Sequence, residues 1–292
     1  EAQRKKVKEW EEECEYMKSL LTEEEFNQRT DDTSGGNALL LDKTVREAVT
    51  LCADRETLAL TGFGGAMPAY GFSIPYGTEG SAAAVCSAES AASLLESAGY
   101  MDANGDGMRE SPEGESLSFR ILCSDSSTAW VRAANLLKDM CAPAGIALEI
   151  TVLSPDRALA AAEAGDFDLF LTASQSYYDA YLSLAAFYWN DGNGAFWNGA
   201  ASPGWNISGY ANGEFDALYE ELTFASSAGR DALEREMEDM VLADCAALPI
   251  AFAAKNQACS GAWLGLRADH GAGLFFTPSI LRPQLQGNAG GL

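Results

Sequence analysis

The chain has 292 residues, and 43 Asp and Glu against 19 Lys and Arg give it a formal net charge of −24 and an isoelectric point near 4.2. A surface that binds a nucleic-acid backbone or an anionic membrane needs clustered basic residues, whereas the densest basic group, residues 4–8, lies in an acidic segment. The composition therefore excludes a nucleic-acid partner, and no apolar stretch approaches the roughly 20 residues that span a bilayer.

The first 41 residues are predicted to form a helical segment and a linker. Apolar residues recur among the Glu and Lys of 1–29 with the spacing of one helix face. Thr22 followed by Glu25 is a capping box, which predicts the start of a second short helix. Residues 30–38 are rich in Asp, Thr, Ser and Gly, a composition typical of a linker.

Two helices and an irregular loop follow. Asp42 is a good N-cap residue for a helix that continues to about residue 53, and Asp54 begins another that stops at the glycines of 62–65. Residues 66–87 contain two prolines and many small residues, which predicts a loop. The next helix is expected over 88–98, with Gly99 as its C-terminal glycine.

The middle of the chain alternates strands with helices. Strands are expected at 117–123, 146–153 and 167–172, and helices at 128–142 and 156–164. This order is typical of an α/β fold with right-handed crossovers. Two more helices, at about 214–224 and 228–246, and a short strand at 248–252 complete the pattern, and the tail after residue 278 is rich in Gly and Pro.

Aromatic residues are concentrated between positions 177 and 210, among Gly and Asn. They are Tyr177, Tyr178, Tyr181, Phe187, Tyr188, Trp189, Phe196, Trp197, Trp205 and Tyr210. Their irregular spacing does not fit a single core strand or helix. Two interpretations stay open: some of these rings line a cleft, or they pack in the interior.

The sharpest local motif begins at Asp102 and matches the loop with which an EF-hand binds calcium. Ligands are expected at positions 1, 3, 5, 7 and 12 of such a loop, and these positions hold Asp102, Asn104, Asp106, Met108 through its carbonyl, and Glu113. The segment that follows is predicted to be a strand, not the second helix of an EF-hand. Asp and Asn also close such turns without metal, so a structural calcium and a metal-free turn both stay open, and no cofactor is required.

No enzyme constellation stands out. His270 is the only histidine and has no evident partner for a catalytic triad. Asp166 and Asp168 are better explained by a helix end and a strand start than by paired catalytic carboxylates. The seven cysteines show no C-x-x-C spacing, so most are expected to be buried free thiols, with one or two disulfides left open. We therefore predict that the protein is not an enzyme.

Several stretches, in order, resemble bacterial extracellular solute-binding proteins of family 5, which serve peptide, dipeptide and nickel importers. The matching stretches begin with Asp42-Lys-Thr-Val45-Arg46-Glu-Ala48 and Ala53-Asp54-Arg55, continue with Leu94-Leu95-Glu-Ser-Ala98-Gly99-Tyr100 and Asn104-Gly-Asp106-Gly107, and end with Asp166-Phe-Asp168, Asn206-Ile-Ser-Gly209-Tyr210 and Leu248-Pro249-Ile250. Each motif alone is weak, but their order and spacing agree with the family from about 42 to 252.

The resemblance implies a type II periplasmic-binding-protein-like lobe, a mixed sheet flanked by helices. Residues 42–247 would be the C-terminal lobe, and 248–292 a crossover strand and peripheral tail towards an N-terminal lobe that this chain lacks. The implied function is to capture an oligopeptide or peptide-like solute between two lobes, which close by a hinge motion, and to deliver it to an ABC permease and ATPase. The implied location is the extracellular face of the cell envelope, with membrane contact only through a lipid anchor outside this chain. An alternative is a sensing or scaffolding module of the same fold.

The resemblance also points to ligand-binding residues just after the third strand. In peptide-binding members a Trp and an Asp there hold the ligand, and here Ser174 stands near the Trp position and Tyr177 at the Asp position. Asp179 matches a later Asp of the family, and Gln175 and Tyr178 complete the expected site. A pocket of this kind would suit another peptide end, a modified peptide or a non-peptide solute. Nickel or haem would prefer His or Arg, which this stretch lacks.

Overall fold

The computed structural model describes residues 36–72, 86–173, 184–188, 206, 208–225, 227–252, 263–264 and 284–285. The chain divides into two compact units, Glu1–Phe252 and Ala253–Leu292. The predicted helical segment at 1–29 lies outside the described residues. Among those residues no helix combines the length and the apolar character that crossing a membrane requires.

Helices and strands alternate in the middle of the first unit, from α3 to β4, as predicted. The helices are α1 (Lys43–Cys52), α2 (Arg55–Thr57), α3 (Ala88–Ser97), α4 (Thr128–Cys141), α5 (Pro155–Glu163), α6 (Gly213–Phe224) and α7 (Ser227–Ala243). The strands are β1 (Met67–Pro68), β2 (Ser118–Ser124), β3 (Ala147–Leu153), β4 (Leu169–Leu171) and β5 (Ala251–Phe252), with β6 (Trp263–Leu264) and β7 (Gln284–Leu285) in the second unit. Helix α2 continues as one turn of π-helix, Leu58–Gly62.

A three-stranded parallel sheet lies at the centre of the first unit. Its order is β3-β2-β4, so β2 is the central strand, and Ile121 of β2 is paired with Ile150 of β3 and with Leu169 of β4. Helix α4 connects β2 to β3, and helix α5 connects β3 to β4. These parallel strands with helical crossovers confirm the predicted α/β class. The antiparallel pairs β1-β5 and β6-β7 form separate two-stranded sheets.

Two hydrophobic clusters form the core of the first unit. The larger one covers the sheet with α1, α3 and α4, and Val45, Leu95 and Phe119 are among its fully buried side chains. The smaller one joins the short 3-10 helix Ala185–Phe187 to α6 and α7, with Phe215 and Met237 at its centre.

The segment 248–252 pairs with β1 inside the first unit. Strand β5 is antiparallel to β1, and the Ala69 N–H donates to the carbonyl of Ile250 at 3.0 Å. The Arg55 Nε donates to the carbonyl of Pro249 at 3.0 Å. The first compact unit extends to Phe252, and the domain boundary at 247 stays a prediction.

Asp42 caps α1 and also fixes the end of α3. Its carboxylate accepts the Thr44 N–H at 2.8 Å and the Tyr100 hydroxyl at 2.7 Å. Tyr100 follows the left-handed Gly99 that ends α3. The first family motif and the second are therefore joined by one side-chain hydrogen bond.

Candidate functional site

The carboxyl ends of β2, β3 and β4 meet at one edge of the parallel sheet. We call this the carboxyl edge, and its described residues are 124–127, 154 and 172–173. Ligands of open α/β sheets bind outside the carboxyl ends of the strands. Most of these residues are exposed, so the edge presents an open wall and not a closed cavity.

The turn from β2 into α4 is held by its own hydrogen bonds. The Asp125 N–H donates to the carbonyl of Leu153 at 2.8 Å, which continues the ladder between β2 and β3. The Ser124 hydroxyl oxygen accepts the Ser126 N–H at 3.1 Å, and Ser127 caps α4 by accepting the Ala129 N–H at 3.2 Å. The exposed Asp125 carboxylate is thus carried on a well-fixed backbone.

An aromatic pair flanks this edge. Trp130, in the first turn of α4, meets Phe63 edge to face with ring centroids 6.0 Å apart. The Arg132 Nε donates to the carbonyls of Thr61 and Gly62, each at 2.8 Å. The loop after α2 is therefore attached to the first two turns of α4, beside the carboxyl edge.

The five residues predicted to bind ligand follow directly from this edge. Strand β4 ends at Leu171, and residues 172 and 173 are the last described before the predicted set. Ser174, Gln175, Tyr177, Tyr178 and Asp179 themselves lie outside the described residues, so their assignment stays a prediction.

Asp166 and Asp168 lie at the opposite, amino end of β4 and have structural partners. The Asp168 side chain is 7% exposed and accepts the backbone N–H of Arg120 at 2.6 Å and that of Asn37 at 2.8 Å. The Arg120 guanidinium pairs with Asp166 at 2.9 Å. These contacts account for both carboxylates without a catalytic role.

Three of the clustered aromatic residues lie in the described part of the chain, and all three pack with α6. Phe187 meets Tyr210 edge to face at 6.2 Å, and Tyr188 stacks on Tyr219 at 4.5 Å. The Tyr210 hydroxyl donates to the Asp244 carboxylate at 2.8 Å, and burial, followed by this hydrogen bond, raises the pKa of Tyr210. For these three rings the packing interpretation is the better one, and the others lie outside the described residues.

The predicted calcium loop is closed by hydrogen bonds between its own side chains and backbone. Asp102 accepts the N–H groups of Gly105 at 2.7 Å and Gly107 at 3.1 Å. Asn104 accepts from Asp106, and Asp106 accepts from Met108, each at 2.8 Å. The loop thus has the Asx turns expected of a metal-free turn.

Glu113, the predicted ligand at position 12, lies beyond the loop. Met101 and Glu110 exchange two backbone hydrogen bonds, at 3.1 and 2.9 Å, which close the loop before residue 113 is reached. The carboxylate that turns into the loop is that of Glu110, which is 8% exposed and accepts from Ala103 N–H at 2.9 Å and from the Asn104 amide at 2.8 Å. Across the described part of the chain, no three His, Cys, Asp or Glu side chains are grouped to hold a metal ion. Structural calcium stays a prediction.

A groove of about 540 Å³ runs along this loop, between Met101, Asn104 and the turn at Pro112. Because the Glu110 carboxylate at its base is already engaged by two N–H donors, the groove is explained by the way the loop folds.

Five cysteines lie in the described residues, and all are free thiols. Cys52, Cys123 and Cys141 are buried, and Cys86 and Cys245 are half-buried. This agrees with the prediction for most of the cysteines. Cys14, Cys259 and His270 lie outside the described residues.

Asp125 and Ser127 were not singled out from the sequence as site residues, although the pattern that places them is visible there. A buried strand is followed by Asp125 and three serines and then by an apolar helix, which is the pattern of a strand end and an N-cap. Thr172 is placed at the same edge by the parallel pairing of β4 with β2, which only the structure supplies.

A family model described as bacterial extracellular solute-binding proteins, family 5 Middle, matches residues 18–195. No curated protein matches the sequence significantly.

Solved structures share the fold at low identity. One is the periplasmic oligopeptide-binding protein of an ABC transporter from Thermotoga maritima with mannohexaose bound, at TM-score 0.65 and 20% identity over 80% of this chain and 45% of that one. Another is the oligopeptide-binding protein AppA from Bacillus subtilis with a nonapeptide. It has a TM-score of 0.57 and 20% identity over 72% of this chain and 41% of that one. A third is NikA from Brucella suis with Fe(III)-EDTA. It has a TM-score of 0.60 and 19% identity over 72% of this chain and 42% of that one.

These likenesses confirm the predicted periplasmic-binding-protein-like fold. The chain spans less than half the length of each of the three proteins.

Proposed function

Because this chain belongs to the bacterial extracellular solute-binding proteins of family 5, we propose that it is part of the solute-binding component of an ABC importer, that it captures an oligopeptide or peptide-like solute, and that it delivers the solute to a permease and its ATPase. Members of this family are binding proteins and not enzymes. The observation that carries the proposal is the family match over 18–195, which includes the whole three-stranded sheet and the segment after β4.

The carboxyl edge would form one wall of the binding cleft. The main contacts would come from the residues that follow β4 in the sequence: Ser174, Gln175, Tyr177, Tyr178 and Asp179. Asp125 and Thr172 would extend the same wall, since Asp125 follows β2, which is paired with β4, and Thr172 follows β4 itself. A second lobe would supply the opposite wall and exclude water when the cleft closes.

The carboxylates of this wall suit a cationic group better than an anionic one. Among its described residues the only charged side chain is that of Asp125, and Asp179 follows in the predicted set. A peptide would therefore be bound with its amino end, or a basic side chain, towards Asp125 or Asp179, since a buried ammonium group needs a partner of opposite charge.

A second candidate ligand is a neutral oligosaccharide. The described carboxyl edge carries hydroxyl groups from Ser124, Ser126, Ser127, Ser154 and Thr172. A structurally similar protein from Thermotoga maritima has mannohexaose bound. Hydroxyl groups and tyrosine rings suit a sugar, which offers many hydroxyls and no charge.

The proposed location is the extracellular face of the cell envelope, where a lipid anchor outside this chain would tether the protein. The acidic surface fits this location, since a large net charge keeps a tethered receptor soluble. Function and location both concern the whole protein, of which the chain would contribute the C-terminal lobe at 42–247.

Calorimetric and thermal-shift titration of the full-length protein would test this function. The ligands are mixed peptides of two to nine residues, the same peptides with acetylated amino ends, and manno-oligosaccharides. We expect a saturable rise in Tm with free peptides and a weaker rise after acetylation. A rise with sugars alone would support the second candidate. No response to any solute, combined with capture of a regulatory partner protein, would overturn the proposal in favour of a sensing module.

A further inference from the structure

We propose that Phe63 and Trp130 form a subsite of the binding cleft that takes an apolar or aromatic side chain of the bound peptide. This inference rests on the proposed function, which it makes more specific. The two rings meet edge to face, with centroids 6.0 Å apart and ring planes at 88°. We call this pair the aromatic corner, since two perpendicular rings form two apolar sides of a notch.

The aromatic corner is partly open to solvent. Phe63 and Trp130 are both half-buried, so each ring keeps surface that the core does not cover. In the loop that carries Phe63, the side chains of Leu60 and Met67 are 69% and 43% exposed. Large apolar side chains that gather on a surface mark places where a ligand or a partner binds. The corner and its loop therefore present apolar surface that a ligand can cover.

The corner lies beside the proposed wall of the cleft. Trp130 is in the first turn of α4, three residues after the N-cap Ser127, which belongs to the carboxyl edge. Three residues of a helix rise by about 4.5 Å, and one residue of an extended peptide spans about 3.3 Å. A peptide with its amino end at Asp125 would therefore bring one of its first side chains to the corner.

The loop that carries Phe63 is fixed on α4 by close packing. Gly62 is buried, and a Cβ added there would lie 3.3 Å from Cα and Cβ of Ala133, so the loop backbone packs directly on the helix. The Gly65 N–H donates to the carbonyl of Leu60 at 2.9 Å, which closes the turn after the π-helix. π-helical turns are frequent at functional sites. A notch that is already fixed loses little conformational freedom when a side chain enters it.

The surroundings of the corner favour a neutral side chain. The Arg132 guanidinium is attached to the same loop through the carbonyls of Thr61 and Gly62. A positive charge at this place disfavours a Lys or Arg side chain of the peptide, whereas Asp125 on the wall attracts the amino end. A sugar ring stacks on one flat face, whereas a compact side chain in the notch contacts both perpendicular rings. The observations therefore favour an apolar peptide side chain over a basic one and over a sugar.

Calorimetric titration of the full-length protein with a positional peptide series tests the inference. The probes are trialanine and its variants with Phe, Leu or Lys at one of the three positions. We expect Phe and Leu at one position to bind about 10-fold more tightly than Ala, and Lys at that position to show no such gain. The preference should shrink to about 2-fold or less in Trp130→Ala and in Phe63→Ala.

Two further variants separate the loss of a contact from a general effect. Leu159→Ala removes an apolar side chain that is 49% exposed on α5, and it should keep the full preference. Trp130→Phe keeps an aromatic ring in the corner and should keep most of the preference. The Tm of each variant without ligand shows whether it is folded.

Three results would overturn the inference. One is equal affinity of the wild type for Ala, Phe and Leu at every position, a measurement that needs no variant to fold. Another is a preference that survives in both Trp130→Ala and Phe63→Ala. The third is binding of manno-oligosaccharides that Trp130→Ala abolishes, without any peptide preference, which would assign the corner to a sugar.

Failure of this inference can be told apart from failure of the proposed function. If trialanine binds but Phe and Leu give no gain, the peptide-binding function stands and the aromatic corner is not a subsite. If no peptide of the series binds, the proposed function fails, and the subsite fails with it.

Discussion

The Arg46 guanidinium donates two hydrogen bonds to the carbonyl oxygen of Asp244, at 3.0 Å from Nε and at 2.9 Å from the second terminal nitrogen. Its remaining terminal nitrogen reaches the carbonyls of Leu40 and Leu41 at 2.9 and 2.8 Å. One side chain thus satisfies backbone acceptors at the start of the first motif and just after the end of α7. The Arg of the family signature is structural in this protein.

We expect Arg46→Ala to lower the free energy of unfolding by about 2–4 kcal/mol, because the carbonyls of Leu40 and Asp244, which lie in part-buried contacts, and the exposed carbonyl of Leu41 lose their charged donor. Urea denaturation measures the change. Arg157→Ala, an exposed arginine on α5, is the matched control and should change stability by less than about 0.5 kcal/mol. Equal effects of the two variants would contradict the role given to Arg46.

Glycine is required at position 145 for two reasons: its φ is positive, and there is no room for a side chain. It has φ +81°, and an added Cβ would lie 2.6 Å from Cγ of Arg109. Gly105 has a similar φ of +79° with open space around it, so the two positions separate backbone strain from collision. We expect Gly105→Ala to cost about 1 kcal/mol and Gly145→Ala about 2–4 kcal/mol in thermal unfolding. Similar losses at both positions would show that space at Gly145 is unimportant.

Asp102 should stabilise its loop without metal. Because its carboxylate accepts two backbone N–H groups, we expect Asp102→Ala to lower the free energy of unfolding by about 1–2 kcal/mol. The loss should be the same in excess EDTA and in millimolar calcium chloride. A wild-type Tm that rises with calcium, and a larger loss for the variant in calcium than in EDTA, would show instead that the loop binds the ion.

The raised pKa of Tyr100 predicts that the protein loses stability at alkaline pH. Burial, followed by the hydrogen bond to Asp42, raises its pKa from 10.0 to about 12. The folded chain holds the Tyr100 hydroxyl proton more tightly than the unfolded chain does. The stabilising contribution of Tyr100 is therefore fully present below pH 10 and is lost as the pH rises towards 12. We expect wild type to exceed Tyr100→Phe by about 1 kcal/mol at neutral pH, and the difference to shrink over that interval. A difference that stays constant up to pH 12 would rule out this linkage.

The proposed cleft wall predicts a graded effect on solute binding. We expect Tyr177→Ala and Asp179→Asn to weaken the affinity for the solute found by titration about 10-fold or more, and Asp125→Asn to weaken it less. Asp156→Asn, on the exposed first turn of α5, is the control for a general change of charge. All variants should keep the wild-type Tm without ligand. Unchanged affinity in Tyr177→Ala and Asp179→Asn would remove these residues from the site.

The sequence predicts the order of elements in the first unit well, because caps and apolar periodicity are local. Asp42, Ser87 and Ser127 each cap the helix that was expected after them. The π-helical turn Leu58–Gly62 was not predicted, because its carbonyls are fixed by Arg132 from α4, a contact between distant segments. On the same helix, Trp130 is half-buried against Phe63 and Cys141 is fully buried, and the predicted bounds of the helix did not distinguish the two.

The site was predicted less completely than the fold. The stretch that begins at Asp102 matched a metal-binding loop because calcium ligands and Asx turns use the same residue types. The two kinds of loop differ in where the backbone closes the loop. The backbone pair between Met101 and Glu110 closes the loop before Glu113, and no spacing in the sequence reveals this pairing.

The two hydrogen bonds that the Asp168 carboxylate accepts from backbone N–H groups also affect the opposite end of β4. This strand has only three residues, so few ladder hydrogen bonds prevent it from sliding along β2. The buried Asp168 carboxylate accepts the backbone N–H groups of Arg120 on β2 and of Asn37 before α1, and these hydrogen bonds fix the position of β4 along β2. The carboxyl end of β4, and with it Thr172, therefore has a fixed position along the sheet.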